Sequence, residues 1–190
     1  VQDPDFPRQM IDDLGYHVAF YGQKGHYGVA LLSKEAPLSV EYGLPSDDAE
    51  AQRRLIAGTY QLGGDKLTVI NGYFPQGESR AHPTKFPHKQ RFYAELNELL
   101  ADRYSPDQNL MVIGDVNVAP LDKDIGIGPD NAKRWLRDGK CSFLPEEREW
   151  LARLLDWGLC DTFRLRHPEV DDRTSDAAGP AHLLQFDSVH

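Results

Sequence analysis

The apolar run Leu110-Met111-Val112-Ile113 leads straight into Gly114-Asp115-Val116-Asn117. Side chains two residues apart on an extended chain point to the same face, so a strand ending here presents a carboxylate and an amide together. Two oxygen donors so placed begin a site for a hard cation beside a phosphate. The same residues can instead close a strand as a turn, by hydrogen-bonding to their own backbone. Tyr73 stands at a comparable exit, in Asn71-Gly72-Tyr73-Phe74-Pro75-Gln76-Gly77. Its phenol can donate to a phosphate oxygen, act as a proton donor if its pKa is lowered, or pack half-buried over the turn.

Three basic groups stand out from an acidic background: Arg53 and Arg54; Lys85, Lys89 and Arg91; and Lys133, Arg134, Arg137 and Lys140. The last interleaves Trp135 and precedes Phe143, a mix suited to tracking a nucleic-acid backbone and wedging into a groove. A solvated helix face would use the same residues. The histidines are scattered without zinc-ligand spacing, which disfavours a zinc site.

The elements that would carry these residues read in two halves. Short strands are predicted at 17–21, 27–33, 38–42, 54–62 and 66–71. Gly22-Gln23-Lys24-Gly25-His26 and Gly63-Gly64-Asp65 supply hairpin turns. From Pro87 the period changes. Phe92, Leu96, Leu99 and Leu100 fall on one helical face, so a helix is expected to about Arg103, feeding the 110–113 strand. A second helix is predicted from Pro145, with Glu146 and Glu147 at its positive end. Trp150, Leu151, Leu154 and Leu155 form its core side and Gly158 its stop. Strands with helices layered on one side point to an α/β sandwich.

With 190 residues, 40% hydrophobic and 27% charged, the chain has the size and composition of one globular domain. No apolar run approaches the length of a bilayer span, so a membrane role is not expected. Cys141 and Cys160 are the two cysteines, too few for a disulfide scaffold, which makes a reducing, cytoplasmic setting the expectation. The start, Val1 to Pro7, carries no basic-then-apolar leader pattern. A net charge of -9 argues against a general nucleic-acid coat. It is compatible with a metallonuclease, which needs only a local basic track.

Four segments together resemble the abasic-site endonuclease and 3′ exonuclease (exonuclease III) branch of the endonuclease/exonuclease/phosphatase superfamily in bacteria. They are 22–32, 69–80, Gly114-Asp115-Val116-Asn117, and 133–137 through 141–150. The resemblance runs in collinear order from about Phe6 to about Arg173. It implies a four-layer α/β sandwich of two mixed β-sheets flanked by helices, incomplete here. Tyr73 would match the tyrosine that hydrogen-bonds the scissile phosphate. Asp115 would match the aspartate that orients or deprotonates the attacking water, and Asn117 the amide that helps hold phosphate and metal. Arg54, Gln76 and Lys85 would fall where the family touches the DNA backbone. The implied cofactor is Mg²⁺, with Mn²⁺ as a substitute, held in part by Asp115 and Asn117. The implied partner is double-stranded DNA with abasic sites or 3′ ends, with no obligate protein partner.

The departures set further expectations. The family's Asn-bearing first strand and Gln-Glu-Thr strand would lie before Val1, and nothing after Arg173 matches its Asp-bearing strand or Ser-Asp-His motif. Residues 1–173 are therefore expected to form a partial domain. Residues 174–190, which begin Thr174-Ser175-Asp176-Ala177-Ala178-Gly179, are expected to form an atypical, poorly ordered tail. A reading-frame change near Arg173, or a truncated gene, would account for the shift. The chain alone is expected to show little or no activity, the alternative being a non-catalytic DNA-binding piece or a non-functional one. A lipid or inositol phosphate substrate is disfavoured by the 133–150 segment.

Overall fold

The computed structural model describes residues 3–25, 27–169 and 186–188. A short 3-10 turn, Asp3–Asp5, precedes α1 (Arg8–Asp13). The first predicted hairpin is present as β1 (His17–Gly22) and β2 (Gly28–Ser33), an antiparallel pair standing alone as a two-stranded sheet. His26, within its turn, lies outside the described residues. β3 (Ser39–Tyr42) then pairs antiparallel with β4 (Leu55–Leu62), and β4 with β5 (Asp65–Tyr73). Leu62 and Asp65 face each other across Gly63-Gly64, and Gly63 has a φ of 58°. Left-handed backbone of this kind matches the twist of a tight hairpin and favours glycine.

The next helix, α2 (Lys85–Arg103), starts two residues before Pro87 and ends where predicted. It carries the chain to β6 (Leu110–Asp115), which pairs with β5 in parallel. A crossover helix is the ordinary way to return a parallel strand, and this one makes the large sheet mixed. A 3-10 turn at Asp122–Asp124 and α3 (Pro129–Arg137) follow, with Pro129 at the first helical position. Then come α4 (Pro145–Trp157), β7 (Leu159–Asp161) and α5 (Thr162–Arg166). As predicted, Gly158 stops α4, with a φ of 133°. The backbone of β8 (Phe186–Ser188) enters antiparallel between β6 and β7, giving the order β3-β4-β5-β6-β8-β7. The rest of the tail expected over 174–190 lies outside the described residues, as do Val1, Gln2 and Arg173.

Strand alternation splits the core in two. One face of the six-stranded sheet, with Leu55, Ala57, Ile70, Leu110 and Val112, packs on Phe92, Tyr93, Leu96 and Leu100 of α2 and Trp150, Leu151 and Leu154 of α4. The other face sends Ile56, Val40 and Val69 against Val29 and Leu31 of the small sheet. Asn71 ties the two sheets, donating from Nδ2 to the Ala30 carbonyl at 2.9 Å. The expected sandwich of two sheets with helices is therefore present. The small sheet is antiparallel, and only the large one is mixed.

Candidate active site

The parallel register that joins β5 to β6 sets Tyr73 opposite Asp115, and Gly72 opposite Gly114 one residue earlier. Side chains in register on neighbouring strands share a face, so the phenol and the carboxylate leave the sheet together, on the side of β1 and β2. The two glycines permit the approach. A Cβ on Gly114 would lie 2.0 Å from the Gly72 carbonyl oxygen and 2.9 Å from Asn71 Oδ1, and its φ is 121°. No other residue fits there without moving β5.

Past β6 the chain bends back on itself. Asn117 has a φ of 54°, a left-handed conformation that asparagine tolerates better than most residues. Its backbone N–H donates to Asp115 Oδ1 at 3.1 Å, and its side-chain Nδ2 donates to Asp115 Oδ2 at 3.1 Å and to the Phe74 carbonyl at 2.9 Å. The sequence offered either a turn or a ligand pair here, and the structure shows the turn. The turn holds the carboxylate, and the spent amide nitrogen leaves Asn117 Oδ1 without a partner among the described residues.

Arg54, expected on a DNA backbone, is buried, with 6% of its surface exposed. Nη1 donates to the Tyr73 carbonyl at 2.9 Å and Nε to Gln52 Oε1 at 2.6 Å. The guanidinium lies 4.0 Å from the centre of the Tyr27 ring and 4.9 Å from that of Tyr73. Burial pulls Arg54 below its ordinary pKa, against the opposing pull of the Tyr27 and Tyr73 phenols and the Asp115 carboxylate. One of its donors thus holds the backbone of Tyr73.

Gln76 is exposed on the loop after β5, its Oε1 accepting from the Glu78 N–H at 2.7 Å. Lys85, also exposed, pairs with Glu78 at 2.5 Å, which raises the lysine's pKa. Tyr73, Asp115 and Asn117 thus converge, Arg54 supports them from beneath, and Gln76 and Lys85 stand on the rim.

Of the other basic residues, Lys89 departs furthest from the track expected of it. It is fully buried and paired with Glu147 at 2.5 Å. Glu147, read from sequence as a dipole partner, accepts the Ser142 and Leu144 N–H groups at 2.8 and 2.9 Å and so caps α4. The signal for Lys89 was its place one turn before Tyr93, on the apolar face of α2. Lys133, Arg134 and Arg137 are exposed along α3. Phe143 is buried and stacked on Trp135, with ring centres 6.0 Å apart, so it packs within the protein.

An Asp115 oxygen and Asn117 Oδ1 are oxygen donors that could help hold a divalent cation, whose remaining ligands would come from water and a substrate phosphate. Among the described residues no group of three or more His, Cys, Asp or Glu could hold a metal, and no helix is long and apolar enough to cross a membrane.

A family profile described as the Endonuclease/Exonuclease/phosphatase family matches residues 1–178. The exodeoxyribonuclease III of Haemophilus influenzae is 53% identical over 175 residues, a match that covers 92% of this chain and 66% of that protein. Recombination repair protein 1 of Drosophila melanogaster is 30% identical over 166 residues, covering 86% of this chain and 22% of that one. The chain therefore spans less than two thirds of the length of either relative. Among solved structures, the 3′ phosphatase NExo from Neisseria, bound to a product DNA hairpin, superimposes with a TM-score of 0.82 at 32% identity. That match covers 99% of this chain and 72% of the other. An AP endonuclease from Archaeoglobus fulgidus gives the same TM-score at 29% identity, with coverages of 99% and 72%.

Proposed function

We propose, because the chain belongs to the endonuclease/exonuclease/phosphatase family, that its site is the phosphodiester-hydrolysing centre of a DNA-repair nuclease of exodeoxyribonuclease III type. Its substrate would be duplex DNA, entered at 3′ ends and 5′ to abasic sites, in the cytoplasm of a bacterium. The observation that carries this reading is the registered pair of Tyr73 and Asp115, with Asn117 folded back onto the carboxylate.

Asp115 accepts a proton from, or orients, the water that attacks the phosphorus in line. Tyr73 donates its phenolic hydrogen to a phosphate oxygen on which charge develops. Asn117 keeps the Asp115 oxygens fixed during the attack. Arg54 keeps Tyr73 in place and adds positive potential from below the sheet edge. A bound Mg²⁺, held by Asp115 and Asn117 Oδ1 with Mn²⁺ as a substitute, would neutralise phosphate charge. Gln76, Lys85 and the exposed cations of α3 would meet the DNA backbone.

The test is single-turnover cleavage of a duplex carrying one abasic site, with enzyme in excess. Loss of one such donor costs about 10²- to 10³-fold in rate. Asp115→Asn and Tyr73→Phe are each expected to fall by that much, and near-parental cleavage by either overturns the assignment. The small donor set favours a second reading, DNA binding without cleavage. Salt-dependent binding with no product, even by the parent chain, would select it.

A further inference from the structure

Lys89 is a lysine in an apolar layer, on the face of α2 that also carries Tyr93 and Leu96, with no exposed surface. A buried ammonium is costly unless it is paired and all its hydrogens are bonded. Here three acceptors meet its three donors. Nζ lies 2.5 Å from Glu147 Oε1, 2.8 Å from the Asn117 carbonyl and 3.3 Å from the Gln76 carbonyl. The two carbonyls come from the two loops that leave β5 and β6, directly after Tyr73 and Asp115. Glu147 is saturated as well, since its other oxygen takes the Ser142 and Leu144 N–H groups.

The surroundings are shaped to this bridge. Gly77 passes so close over the lysine stem that a Cβ there would lie 3.0 Å from Lys89 Cδ and 2.8 Å from Cys141 Sγ. Two other side chains grip the segment after β6. Tyr93 donates its hydroxyl to the Val116 carbonyl at 2.7 Å, and Arg148 donates from Nε to the Ala119 carbonyl at 3.0 Å. Of these three donors, Lys89 alone also reaches the loop after β5. Stability does not explain the choice, because apolar residues of similar volume often replace a buried ion pair at no loss. Apolar residues could not hold two carbonyls at a fixed spacing.

We propose that Lys89, held by Glu147, is a positioning residue for phosphodiester hydrolysis. It locks the peptide after Asn117 and sets Asp115 and Asn117 against Tyr73 and Gln76. This rests on the phosphodiesterase reading of the site. A misplacement of about 1 Å, introduced away from the chemistry, can cost on the order of 10²-fold in rate.

The double variant Lys89→Met/Glu147→Leu, made in the full chain, separates position from stability. It is expected to unfold cooperatively with the parental circular dichroism. Hydrogen exchange at the Asn117 amide should quicken tenfold or more while that at Val112 stays unchanged. The kcat for abasic-site cleavage should fall about 10²-fold with KM nearly constant. A folded double variant with parental Asn117 exchange overturns the proposal. If the variant does not fold, the Nζ protons of parent protein labelled with ¹⁵N-lysine decide. Slow exchange with cross-peaks to the Gly77 and Val118 amides supports the bridge, and fast exchange removes it. A parent chain that cuts no DNA counts against the phosphodiesterase reading, and Asn117 exchange still decides the role of Lys89.

Discussion

Arg54 shows how a single residue can support the site, and His88 how one can make stability depend on pH. Replacing Arg54 by Met keeps the stem but removes the bond to the Tyr73 carbonyl and the cation over two rings. A hydrogen bond from a charged donor is worth about 1.5–3 kcal/mol. Arg54→Met is therefore expected to lower stability by roughly that much in a denaturant titration, and to slow cleavage more than it weakens binding. His88 is pushed below its ordinary value of 6.5 by burial first, then by Arg54 and Arg91. The folded state thus prefers the neutral ring, and the unfolded chain takes up its proton first as pH falls. The stability tied to this ring is complete above 6.5 and is lost as pH drops through the folded value. Melting temperature should decline as pH falls below 6.5, and His88→Gln should flatten that slope. The place of Tyr73, Asp115 and Asn117 at strand exits was legible in the sequence, because apolar runs lead into both segments. Lys89 was not, because a lysine beside Lys85 and Arg91 reads as a wet surface until its helical face is counted.

Among the elements, the touching ends of β5 and β6 decide whether a site exists. Gly114→Ala places a methyl against the Gly72 carbonyl in a left-handed backbone. Strain and overpacking together should cost roughly 2–5 kcal/mol, measured by chemical unfolding. Any folded fraction should show a displaced Asp115 and loss of cleavage. Both hairpins, α2 and α4 could be read ahead of the structure, since periodicity, Gly63-Gly64, Pro145 and Gly158 mark them. β7 and α5 are only 3 and 5 residues long, too short to carry a period, and tertiary pairing defines them. α3 was open to reading as a solvated helix face at Lys133, Arg134 and Arg137, but its start at Pro129 was not identified.

Over the whole molecule, an excess of acid coexists with a cationic helix. Lys133, Arg134 and Arg137 are exposed on α3 while the net charge is -9. If they face DNA, changing all three to Glu should weaken binding to every duplex alike. The slope of log affinity against log salt should flatten by about 0.9 per lost phosphate contact, a titration that fluorescence anisotropy can follow. The order of strands was the least legible feature, since pattern marks a strand but not its neighbour. The parallel neighbour has a further consequence, for the time at which catalytic competence arises. The hairpins join segments close in the chain and can form within about 1–10 μs. Tyr73 and Asp115 meet only after all of α2 has been threaded across the sheet, and such non-local closure is the slow part of folding. A newly made chain can thus hold much of its architecture before Tyr73 and Asp115 come together, so any cleavage at the proposed site must wait until the β5–α2–β6 crossover has docked.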